Sequence, residues 1–583
     1  MRRSSLIICS FSILFGLGAI FEHASGEEEE RTLAEHFVYT SLALNPPSAT
    51  AQGYHEHEGV LLDELLDDYS QAGVDRVRAF YSKSLADANR MSSERLDPES
   101  RADLDLIRQQ CEWNVFELEK IQTRRHNPTL YVESIGNAIY SPFILNYAPE
   151  AKRLLHITAR IEKIPDFLEM AKRNLTDSPE IWNQVAREEN QGNVELIDRT
   201  IRAKIPEELK PRYERAAAKA LDALKSFDAF LKNDLSRRTS DWRLGTDSYS
   251  AKFRLTLATG ETPQQTLSDA EAKLENIRED MNNQARALYP KFFGQKAAPR
   301  DINALISQVL DKVAQQHATP QGYFAEAEKD LADATQFVRD HQLLPLLKRS
   351  NLRVIPTPKF MQGIYGVGGF SAAPVFEPQL GAFYWITPFT PDMTPDRIES
   401  KLREYNTYGL EILTIHEAMP GHYVQFEYAN DIQPKWRGAL RTILSNGPYV
   451  EGWAVYATEM MVQQGYDNTP EMRLTFGKQM LRVVSNTILD VKLQTMNMTD
   501  QQALDLMIRE TFQEKEEAEK KLQRAKLSSC QLPMYFVGWR AWDQLEQAYQ
   551  KKAGAGFNLS DFHQRALKEG AVPVPILSRL ILQ

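Results

Sequence analysis

Residues 410–428, LEILTIHEAMPGHYVQFEY, place His416, Glu417 and His422 within seven residues, directly behind an apolar run. The run predicts a buried helix, yet that helix cannot stay regular if both imidazoles are to act together. Four residues apart, two side chains are separated by about 400° and share a face, whereas six apart they are separated by about 600°, a divergence of roughly 120°. Pro420 and Gly421 lie between the two histidines. Proline removes a backbone donor and clashes with the preceding turn, and glycine tolerates backbone that other residues avoid. A local unwinding or bulge between Met419 and His422 is therefore expected, returning the second imidazole to the side of the first.

Two neutral imidazoles with a neighbouring carboxylate are the donors a zinc hydrolase needs: nitrogens for the metal, and a base to take a proton from water. A third ligand is expected from the helix that opens at SNGPYVEGWAVYATEM, where Asn446 to Pro448 are start signals and Glu451 falls in the first turns. Glu459 on the same helix points about 80° away from Glu451 and is the weaker choice. The expected set is His416, His422 and Glu451 on zinc, with Glu417 as general base. His55 and His57 alternate with Glu56 and Glu58 on a polar segment; residues so placed usually face solvent, and the pair is not taken as a ligand set.

The rest of the chain narrows the setting. A net charge of −10 without a long basic stripe excludes the electrostatic footprint of a nucleic-acid binder. Arg2 and Arg3, an apolar run from Leu6 to Ile20 and small residues Ala24 to Gly26 make residues 1–26 read as a secretory signal. The 15-residue run is shorter than the ~20 residues that span a bilayer. No integral membrane segment is expected after cleavage, and the mature protein is expected to be extracytoplasmic, periplasmic or secreted. Cys9 follows Ile8 inside the apolar run, which argues against lipidation. The mature chain keeps Cys111 and Cys530, too few for a thiolate metal site; one bridge and two buried thiols are both open.

Helical punctuation recurs along all 583 residues. Leu209, Tyr213, Ala217, Leu221, Leu224, Phe227 and Leu231 follow Pro206 at three- and four-residue spacing and predict a long amphipathic helix. Ser268 with Glu271 and Thr499 with Gln502 are capping-box patterns. Nine charged residues in the thirteen from Glu514 to Lys526 predict a solvated helix face. GIYGVGGFSAAP, at 363–374, departs from helical pattern, and GAFYWIT, at 381–387, predicts a short strand. With no repeat and no Gly/Ser linker, the expected fold is mainly α and two-lobed, with an N-terminal helical lobe over 27–250 and a C-terminal helical lobe over 251–583 carrying the metal site.

The motifs HEAMPGHYVQ at 416–425 and EGWAVY at 451–456, with Pro533, Tyr535, Gly538 and the segment 557–577, resemble the bacterial family called domain of unknown function 885. That resemblance covers most of the mature chain and implies a mostly helical, zinc-peptidase-like protein. The arrangement is also similar to helical zinc peptidases with a substrate channel between two lobes. This likeness implies a small β element beside the zinc helix, supplied by GAFYWIT and pairing with substrate backbone, and Tyr535 or His563 as support for an oxyanion. The resulting expectation is a zinc-dependent hydrolase of short peptides or related amides. The alternatives are an ester or non-peptide amide hydrolase on the same metal, and a non-catalytic helical binding protein with a structural metal. N-terminal sequencing of protein made in its native host is expected to start near Glu27, and an intact Met1 in the cytosol refutes export.

Overall fold

The computed structural model describes residues 28–92, 96–362, 367–391 and 393–583, and the expected signal segment lies outside them. The described chain is mainly α, as the periodicity predicts. Helix ends follow local chemistry. Thr499 and Gln502 form the expected reciprocal capping box. The second box forms six residues earlier than expected: Thr262 and Gln265 cap a helix over Pro263–Phe293, and Ser268 lies inside it. Pro263 sets the first turn, so the helix nucleates there. The amphipathic helix runs from Lys210 to Asn233, started by Pro211 and not Pro206, and buries Tyr213, Ala217, Leu224, Phe227 and Leu231.

Packing groups the chain differently from sequence order. One apolar core gathers Ala34, Leu62, Leu104 and Cys111 with residues from Tyr249 to Ile581. A second core is built from the helices Thr129–Ile144, Glu150–Asn174, Glu180–Glu195 and Lys210–Asn233, around Ile157, Leu168, Ala217 and Phe227. Ala34, Leu62, Leu104 and Cys111, assigned by sequence order to the lobe over 27–250, thus pack in one core with residues of the C-terminal half. A buried ion pair helps hold them there. Asp103, fully enclosed, accepts from Arg437 Nε at 2.5 Å and Arg441 Nε at 2.8 Å. Cys111 and Cys530 are both buried free thiols. No helix of the described residues is long and apolar enough to cross a membrane.

A three-stranded sheet lies beside the histidine segment. Its centre is Ala382–Ile386, the expected GAFYWIT strand, parallel to Leu352–Pro356 on one side and antiparallel to Gly368–Ser371 on the other. With neighbours on both sides, the central strand has no edge for a peptide to pair with, which corrects that expectation. The sheet's outer edge on this side belongs to Gly368–Ser371.

Two helices that carry site residues, Gly447–Gln463 and Pro533–Ala553, cross backbone to backbone. A Cβ on Gly538 would lie 1.9 Å from Pro448 O, and one on Gly452 would lie 2.3 Å from Gly538 C. Backbone cannot yield as a flexible side chain can. Gly538→Ala is therefore expected to lower the unfolding free energy by about 1–3 kcal/mol or more, the range for overpacking. Gly556→Ala, where a Cβ meets nothing within 4 Å, is the control. Urea unfolding of both checks it, and equal midpoints contradict the crossing.

Candidate metal centre

Asn406 caps the first histidine helix, Thr407–Glu417, by accepting from the backbone of Tyr408 and Gly409 at 3.2 Å each. The apolar positions Leu410, Ile412 and Ile415 bury it, and Tyr384 of the central strand meets Thr414 Oγ1 at 3.2 Å. The helix ends at Glu417, and a new one, His422–Asn430, starts at the second histidine. The expected bulge is thus a full break into two helices. Its backbone is satisfied locally, with Met419 N–H donating to Thr414 O at 3.2 Å and Gly421 N–H to Ile415 O at 2.9 Å. Gly421 sits so close to the first helix that a Cβ there would be 1.9 Å from His416 O and 2.4 Å from Ile415 O. Only glycine fits.

Asn446 caps the helix Gly447–Gln463 through Tyr449 N, and Pro448 fills its first turn. One turn in, Glu451 meets both imidazoles: its Oε2 is 3.5 Å from His416 Nε2 and 3.5 Å from His422 Nε2. Two residues on, Trp453 donates its indole N–H to Pro420 O at 3.0 Å and Gly421 O at 3.2 Å. The same helix thus delivers the carboxylate and pins the break between the histidines. Glu459, the other acid considered, turns away and accepts from Trp539 Nε1 at 2.6 Å.

The three ligand atoms lie within 4.8 Å of one another, and no other such group of three occurs among the described residues. Glu451 Oε2 is buried without a hydrogen-bond partner, because 3.5 Å exceeds a well-made bond. Burial raises its pKa, but the two facing imidazoles outweigh that and hold the carboxyl well below the usual range. For His422 the same balance works in reverse: burial lowers its pKa, and Glu451 more than restores it. Behind His422 the Gln425 amide is 2.8 Å from Nδ1, with Oε1 unpartnered as placed. The amide nitrogen also donates to Val450 O at 3.3 Å, so turning the amide to let Oε1 accept from Nδ1–H, the tautomer that frees Nε2, gives up that bond. Two imidazole nitrogens and a carboxylate oxygen are donors of the type that zinc takes.

A cavity of about 120 Å³ opens beside this group, on the His416 side. Glu417 lines it next to His416, as does Tyr535, whose ring stacks on His416 at 6.1 Å between centroids. Burial and the Glu451 charge push the Tyr535 hydroxyl up to about 12. Phe370 of the outer strand stacks on His422 at 6.3 Å, and Val367 and Gly368 reach the cavity. Sequence reasoning missed the opposite side. The charged helix, Lys515–Leu527, keeps Lys515 and Glu519 in solvent as expected, but its other face is enclosed: Glu517, Lys521, Ala518, Leu522 and Ala525 are buried, and Glu517, Lys520, Lys521 and Arg524 line the cavity. Their spacing of three, four and seven residues was a legible signal that they share one face.

Two other sets of histidines lie elsewhere. His55 is half-buried rather than solvent-facing, held by Asp63 at 2.9 Å and Glu377 at 3.2 Å, and His57 meets Tyr54 at 2.8 Å. His563 does not reach the cavity. It is fully buried behind the glutamate helix, with Nδ1 at 2.8 Å from Leu343 O and Nε2 at 2.8 Å from Tyr456. With both nitrogens engaged in the core it has no free atom for an oxyanion; of the two, only Tyr535 lines the cavity.

Residues 46–581 match the family described as "Bacterial protein of unknown function (DUF885)". The chain belongs to this family. Two solved structures share its fold across nearly the whole length. One, a "putative lipoprotein of unknown function" from Shewanella oneidensis, is 28% identical over 95% of this chain and 100% of its own, with a TM-score of 0.79. The other, a "putative lipoprotein" from Colwellia psychrerythraea, is 18% identical over 96% and 98%, with a TM-score of 0.77. No curated protein matches the sequence.

His563 also leaves a mark on stability. Burial lowers its pKa from 6.5 to about 4, so the unfolded chain binds this proton more readily than the folded one. The stability held by the neutral imidazole is complete above about 6.5 and lost as pH falls toward 4, by ~3 kcal/mol. His563→Gln is expected to show a shallower loss than the parent between pH 6.5 and 4 in urea unfolding. Parallel losses in both proteins rule this source out.

Proposed function

We propose that this family member is an exported zinc-dependent hydrolase, a metallopeptidase acting on short peptides or related amides. One observation carries the reading: two imidazole nitrogens converge on a buried carboxylate oxygen, and one of those histidines, His416, lines a cavity together with Glu417. A purely structural site has no use for that glutamate. His416, His422 and Glu451 would hold the ion, whose contribution when bound is Lewis acidity toward a carbonyl and a lowered pKa for coordinated water.

The remaining roles fall to the chain itself. Glu417 takes the proton from the attacking water and returns it to the leaving amine. Tyr535 offers its hydroxyl to the developing oxyanion from its stacked position on His416. The outer edge of Gly368–Ser371, next to His422, is the strand edge that can pair with an extended peptide. Export is supported by the signal-like first 26 residues and by the lipoprotein description of both structural relatives.

Purified mature protein is expected to carry about one zinc per chain and to cleave members of a fluorogenic peptide library. Glu417→Gln should keep the zinc while turnover falls at least ~10²-fold, the scale for losing a positioned base. Glu451→Ala should lose zinc and activity together. Full metal content in Glu451→Ala, or wild-type turnover in Glu417→Gln, defeats the assignment.

A further inference from the structure

The cavity at His416 and Glu417 has a basic wall. Among the described residues it is lined by four cations, Arg482, Lys520, Lys521 and Arg524, against two carboxylates, Glu417 and Glu517. Glu517 is already paired with Arg482, and Glu417 is assigned to proton transfer. Lys521 is 6% exposed, and the acceptor of its ammonium group is the neutral amide of Asn486 at 3.0 Å. The carboxylates whose charge reaches Lys521, Glu517 and Glu404, are already paired with Arg482 and Lys478, and an ammonium enclosed with no carboxylate of its own is costly. Burial first, then repulsion from Arg482, holds Lys521 well below the usual lysine range, and an anion arriving in the cavity relieves that penalty.

This wall is close to the reaction centre. Arg524 Nη2 donates to the Tyr535 hydroxyl at 3.3 Å, and Tyr535 stacks on His416. One side chain therefore separates the basic helix from the histidine ligand. The cavity, at about 120 Å³, is smaller than the roughly 300–1,000 Å³ of a pocket for drug-sized molecules. That suits the last residue of a chain better than a peptide running through.

We propose that Lys520, Lys521 and Arg524 receive the C-terminal carboxylate of a short peptide, so that this enzyme works as a carboxypeptidase. The inference rests on the hydrolase reading above. A guanidinium fork flanked by two ammonium groups is a strong carboxylate receptor, and fixing the terminus beside Tyr535 sets the last peptide bond over the histidines.

The test is a calorimetric titration of the full mature protein carrying Glu417→Gln, with and without added zinc. The probes are acetylated tripeptides differing in their last residue, each as free acid and as C-terminal amide. Free acids are expected to bind at least 10-fold more tightly than amides. Lys520→Gln and Lys521→Met should each shrink that ratio at least threefold while leaving amide affinity in place. Should Lys521→Met not fold, as judged by near-ultraviolet circular dichroism, Lys520→Gln carries the comparison. A ratio near one, no binding of either set, or amides ending in Asp or Glu that bind as well as the acids overturns the proposal. Acid preference without metal-dependent turnover in the unmodified protein supports the receptor and rejects the hydrolase; equal turnover of acids and amides does the reverse.

Discussion

The carbonyls of Ile415 and His416 close on the α-carbon of Gly421 at a distance no side chain permits, and the geometry of the site follows from that contact. Because the chain can fold back tightly, a helix that ends at Glu417 restarts at His422 with its imidazole beside that of His416, 4.8 Å between ring centroids. A regular helix would have sent the second imidazole about 120° away. The indole N–H of Trp453 then ties the break to the helix carrying Glu451, so turn and carboxylate are positioned by one rigid element. Side chains locked by packing and by hydrogen bonds from behind are what a preorganised site requires.

A second constraint lies one layer out. Gly452 and Gly538 let the glutamate helix and the Pro533–Ala553 helix touch at backbone distance, and the second of these carries Tyr535 to His416. The dipeptide Pro420–Gly421, the Glu-Gly-Trp of 451–453 and the Pro533, Tyr535, Gly538 set are thus parts of one packing problem. Each glycine is there because two backbones meet, and each neighbouring side chain is delivered by that meeting.

Charge is handled by enclosure as much as by solvent. Asp103 is paired in the core with Arg437 and Arg441, and Glu404 is met by Lys478 at 2.7 Å. The Lys515–Leu527 helix belongs to this buried network: Glu517 pairs inward with Arg482, and Lys521 lies in the cavity wall.

The sequence by itself determined what spacing and backbone chemistry settle locally. A six-residue spacing of the histidines with Pro-Gly inside called for an unwinding or bulge, and the helix after Asn446 presented Glu451 and Glu459 on different faces. The Thr499 cap and the Ala382–Ile386 strand were equally plain. Tertiary structure alone decided the questions that turn on which distant surface arrives. It sent Glu459 to Trp539 and enclosed His563 between Leu343 and Tyr456. It also gave the outer strand edge to Gly368–Ser371 and turned Glu517 and Lys521, two of the nine charges, inward against Arg482 and Asn486. Charged and polar side chains look alike in sequence whether water or a counter-charge solvates them, and their burial is fixed only when non-local partners supply that counter-charge.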